Sequence, residues 1–127
     1  MSRKILIDAF YNNFNDFVDQ LIRVFPTDAD FPTYRAGMSL FQMTNPLLPI
    51  TEFRRCTQPF AQQIAAKDDA FFLNYAYDEF TATDNTLEPV IGKLKGMWSV
   101  LSESNRGHVW DYLILLSKIA DRVLVAA

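Results

Sequence analysis

The chain has 127 residues, half of them hydrophobic and 21% charged, a size and balance that fit one folded domain and a globular composition, not a disordered one. Twelve Lys and Arg stand against fifteen Asp and Glu, a formal net charge of −3 with a pI near 5.0, which argues against nucleic acid or an anionic membrane as partner. A single cysteine, Cys56, excludes an internal disulfide and leaves no call for an oxidising compartment.

Glycine is scarce, prolines fall between periodic segments, and no β-branched alternation bounded by Asn-Gly or Asp-Gly is found, so the pattern is helical. A first helix is predicted over residues 2–25. Leu6, Phe10, Phe14, Phe17, Leu21 and Val24 recur at steps of three and four on one face, with Asn12, Asp16, Asp19 and Arg23 on the other. Pro26 ends it, because proline disfavours helical backbone in the residue before it. After a loop, Pro32 or Thr33 opens a second helix to about Met43, carrying Tyr34, Met38, Leu40 and Phe41. Asn45-Pro46 marks a turn, and Pro49 suits the first turn of a third helix, predicted over 50–66. Pro59 falls inside that helix, at a cost of about 3 kcal/mol, so a kink or break is expected there. Asp68 and Asp69 favour a short helix start leading to about Asn74, and 75–84 reads as loop or extended chain. A fifth helix over 86–101 places Val90, Leu94, Met97, Trp98 and Leu101 on one face. Capping residues at 102–105 precede a last helix over 106–125, with Val109, Tyr112, Leu113, Leu116, Ile119, Ala120 and Val123 as its stripe. The expected fold is all-α: a single compact bundle of five to six helices over 1–127, with a proline-kinked or broken third helix.

Chemistry has little to work with. His108 is the only histidine, and it stands beside no partner motif, which reads as a surface or capping residue before it reads as an acid–base group. Cys56 follows Arg54 and Arg55, whose charge favours a thiolate, but adjacent helical residues point in different directions, and a buried inert thiol is the plainer reading. Asp28-Ala29-Asp30 begins like a calcium loop, but the positions that require Gly and Glu hold Thr33 and Ser39. The pairs Asp68/Asp69 and Asp78/Glu79 read as helix starts and solvated loops. Phosphate-binding glycine loops, Cys-x-x-Cys and Gly-x-Ser-x-Gly are missing, so neither catalytic nor cofactor residues nor a metal set is assigned, and no small-molecule substrate is indicated. Lys93, Lys95 and Arg106 with Trp98, and Arg54 and Arg55 with Phe53, are weak basic–aromatic patches of the kind that bind single strands. The plainer reading is a solvated helix face over a buried ring.

Aromatics are abundant: eleven Phe, five Tyr and two Trp. Phe71, Phe72, Tyr75, Tyr77 and Phe80 cluster within a short stretch and are the candidate partner contact, since rings are enriched at interfaces; packing into the core is the competing account. The apolar start Ile5-Leu6-Ile7 is cut by Asp8, too short for a secretory signal, and the apolar run over 113–116 is far below the roughly 20 residues that span a bilayer, so a soluble, non-secreted protein is expected.

Three stretches carry a resemblance: 19–31 (Asp-Gln-Leu-Ile-Arg-Val-Phe-Pro-Thr-Asp-Ala-Asp-Phe), 68–74 (Asp-Asp-Ala-Phe-Phe-Leu-Asn), and Lys93-Leu94-Lys95-Gly96-Met97-Trp98 leading to Val109-Trp110-Asp111-Tyr112-Leu113. Their order and spacing resemble small helical proteins encoded by large DNA viruses, notably those of algae. The likeness spans most of the chain and brings no catalytic residue with it. It implies a viral setting, in the virion or the interior of the infected host cell. The expectation is a non-enzymatic protein-interaction protein, a virion or capsid-associated structural component or an assembly factor, whose partners are other virion proteins or itself. The alternative is a viral regulatory protein binding a host protein or nucleic acid.

Overall fold

The computed structural model describes residues 2–70 and 96–125, and within them every regular element is helical. Helix α1 runs Arg3–Val24, α2 Asp30–Thr44, α3 Leu47–Thr57, α4 Ala61–Ala65 and α5 Glu103–Val125, with 3₁₀ turns at Gln58–Phe60 and Trp98–Val100. Four of these are long: α1, α2, α3 and α5. Among the described residues the expected count of five to six bundle helices is not matched, while the third helix, expected to be kinked or broken by Pro59, is broken there.

The differences have local causes. α3 starts at Leu47 because Pro46 and Pro49 occupy its cap and first turn, where a missing N–H breaks no helical bond. It stops at Thr57, and Pro59 sits in the 3₁₀ turn that follows, so the stretch over 50–66 is two separate elements instead of one bent helix. At 98–100, where α-helix is predicted, the chain takes a 3₁₀ turn and leaves it extended at Leu101. Of the short helix predicted from Asp68 and Asp69 to about residue 74, only the start is described, helical at 69–70; its remainder and the stretch 86–95 lie outside the described residues.

Side-chain caps set the remaining ends. Ser2 Oγ accepts the Ile5 N–H at 3.2 Å and opens α1. Asp28 Oδ1 accepts the Asp30 N–H at 3.0 Å and turns the chain into α2. Ser102 Oγ accepts the Asn105 N–H at 3.1 Å, so α5 begins at Glu103, a turn earlier than the apolar stripe indicates. α4 ends in a Schellman motif: Asp68 N–H donates to Gln63 O and Lys67 N–H to Ile64 O, with Lys67 at φ 54°.

α1 is the centre of the packing, and α2 and α5 lie along it. Arg3 Nε donates to Val123 O, and Phe17 stacks on Tyr112 at 5.2 Å, so α1 and α5 run antiparallel. Phe25 against Phe31 and Arg35 against Asp19 make α1 and α2 an antiparallel hairpin. α3 packs on α5 and α2, with Phe53 edge-on to Phe10 at 5.5 Å. Leu6, Phe10, Tyr11, Phe14, Phe17, Val18 and Leu21 are buried along α1, and Trp98 and Trp110 meet edge-to-face at 5.4 Å beside α5. Such ring pairs add about 0.5–1.5 kcal/mol beyond their burial. Val24, placed by the sequence on the buried stripe, is exposed where Pro26 turns the chain away. Among the described residues no helix is long and apolar enough to cross a membrane.

Candidate contact surface

The sequence-predicted chemical residues are placed apart and occupied. His108 is exposed on α5, at the edge of a shallow cleft lined by Phe17, Gln20, Leu21, Asn105 and Tyr112, with no carboxylate, thiol or hydroxymethyl group in the lining. Cys56 is buried on α3. The neighbouring guanidinium of Arg54 pairs with Asp121 at 2.9 Å, and that of Arg55 with Glu52. Asp28 shapes a turn, and Asp69 accepts the Trp110 indole N–H at 2.8 Å, so these acids do structural work. Asp78 and Glu79 lie outside the described residues. Among the described residues no three His, Cys, Asp or Glu side chains gather as a metal would need.

The basic–aromatic patches do not present their rings. Trp98 is fully buried; the Arg106 guanidinium lies 5.8 Å from its ring centre, and Arg106 Nε donates to the Trp98 carbonyl at 2.9 Å. The cation covers the ring and ties α5 to the preceding 3₁₀ turn, where base stacking would need an open face. Phe53 is buried beneath α3 in the same way. Lys93 and Lys95 lie outside the described residues, as do Phe71, Phe72, Tyr75, Tyr77 and Phe80.

What the structure adds is the outer face of α2. This helix carries Phe31, Tyr34, Ala36, Met38, Leu40, Phe41 and Met43, yet only Phe31 and Met38 are buried. Leu40 is 60% and Met43 83% exposed, and Ala36 is exposed one turn before Leu40. At spacings of four and three these side chains form an outward apolar strip, flanked by Pro32, Thr33 and Thr44. Arg35 is the only charged residue between Asp30 and Glu52, in a chain that is 21% charged, and its guanidinium is turned onto Asp19 of α1 at 2.8 Å. The strip is therefore apolar and free of charge together, the composition of an interface core.

The helical pattern of α2 did not reveal this, because periodicity identifies an apolar face and leaves open what covers it. The charge gap between Asp30 and Glu52 is the signal that was available. No protein-family profile, no curated protein and no solved structure matches this chain.

Proposed function

We propose that the chain is a non-enzymatic protein-interaction protein of a large DNA virus, acting in the virion or in the infected cell as a small structural component or assembly factor. The observation that carries the interaction reading is the charge-free strip of Ala36, Leu40 and Met43 on the outside of α2. A monomeric soluble helix is expected to show charged or polar side chains there. The viral setting rests on the sequence resemblance over 19–31, 68–74 and 93–98 with 109–113. The aromatic stretch Phe71, Phe72, Tyr75, Tyr77 and Phe80 is a further proposed contact.

The test is quantitative proteomics of purified particles against soluble lysate, with the native chain and a Leu40→Glu, Met43→Glu variant. A fixed copy number in the particle for the native chain, lost in the variant, is expected. Absence of the native chain from particles overturns the structural role and moves the proposal to an intracellular regulator.

A further inference from the structure

We propose that the cleft between α3, α4 and α5 is a binding site for a small organic acid, an apolar body about one ring in size that bears a carboxylate. The cleft follows from Pro59. α3 stops at Thr57, the 3₁₀ turn Gln58–Phe60 offsets the chain, and α4 comes back onto α5 with alanines at 61 and 65. These small side chains, with Ser117 opposite, leave a volume of about 170 Å³ beside Ile64 and Ile114. A cavity of about 150 Å³ with aliphatic walls holds one benzene ring.

The walls stay apolar although two of their residues carry hydroxyls. Thr57 Oγ1 donates to Phe53 O at 2.8 Å and Ser117 Oγ to Leu113 O at 2.7 Å, so each is committed to its own helix. Charge lies at the rim and selects the sign of the ligand. Arg54 Nε donates to Asp121 at 2.9 Å, and those two charges cancel. Lys118 stands one turn before Asp121 on α5, and among the described residues no carboxylate pairs with it. Two cations and one anion leave the rim positive, in a chain whose net charge is −3. A mostly apolar concavity with a few polar groups is the usual make-up of a small-ligand site. Here those groups attract a carboxylate and repel an amine. The site is separate from the α2 face and stands without it.

The test is methyl and amide NMR of the full chain titrated with benzoate, with benzamide, benzylamine and acetate alongside. Benzoate is expected to shift the Ile64 and Ile114 methyls saturably, with a dissociation constant on the order of 1 mM. Benzamide is expected to bind about threefold or more weakly, and benzylamine and acetate more weakly still. Lys118→Gln is expected to weaken benzoate by about threefold or more, whereas Asp121→Asn, which releases Arg54, is expected to strengthen it. Ala65→Leu fills the cleft and is expected to abolish the shifts, its melting temperature serving as the folding check. No saturable shift at Ile64 and Ile114, as when other residues of this chain fill the cleft, overturns the site. Equal affinity for benzoate and benzamide, or a Lys118→Gln chain that binds benzoate as the native chain does, overturns its assignment to an acid.

Discussion

At the scale of single residues, two part-buried polar contacts hold elements together and set measurable costs. Tyr11 is fully buried on α1, and its hydroxyl donates to the Pro46 carbonyl at 2.7 Å, fastening α1 to the turn before α3. Burial pushes the phenol from 10.0 up to about 12. Its neutral form is thus favoured in the folded chain, so this contribution to stability is complete below pH 10 and lost as pH rises toward about 12. Tyr11→Phe is expected to cost about 1 kcal/mol at neutral pH and to flatten the alkaline fall, read by denaturant melts from pH 8 to 12. Asp69 accepts from the indole of Trp110, which is almost fully buried. Asp69→Ala is expected to destabilise by about 1–2 kcal/mol, with a changed Trp emission, because it takes away a charged acceptor. A variant as stable as the native chain contradicts that role.

At the scale of elements, the stripes of α1 and α5 were legible in the sequence because each helix faces one continuous core. Phe10, Phe14, Phe17 and Leu21, and Val109, Leu113, Leu116 and Val123, are buried as their spacing predicts. Ends were less legible, since they depend on side-chain caps that periodicity does not record. Ser102 starts α5 before its apolar stripe, and the turn at Gln58–Phe60 separates α3 from α4. The end of α4 carries a cost of its own: Lys67 adopts a left-handed backbone, where glycine is favoured. Its ammonium pairs with Asp111 at 2.8 Å, but both groups are exposed, and such pairs contribute about 0–1 kcal/mol. Lys67→Gly is therefore expected to leave stability unchanged or raise it by up to about 1 kcal/mol, checked by thermal melts; a clear loss contradicts the strain argument.

At the scale of the molecule, the core was foreseen and the surface was not. Composition showed that aromatics were plentiful, and most of those described serve the interior: Phe10, Phe14, Phe17, Phe31, Phe53, Trp98 and Trp110 are all buried. The apolar side chains that face outward on α2 are instead Leu40 and Met43, which the helical pattern does not separate from Met38. Glu at both positions removes no packed group, so Leu40→Glu, Met43→Glu is expected to change folding stability by no more than about 0.5 kcal/mol. The most direct test of the central claim, that this face is a protein contact, is photo-crosslinking in producing cells from a reactive residue placed at Met43, compared with one at Ser104. Discrete adducts are expected from position 43 and none from 104. No adduct from 43, or the same set from both positions, contradicts it.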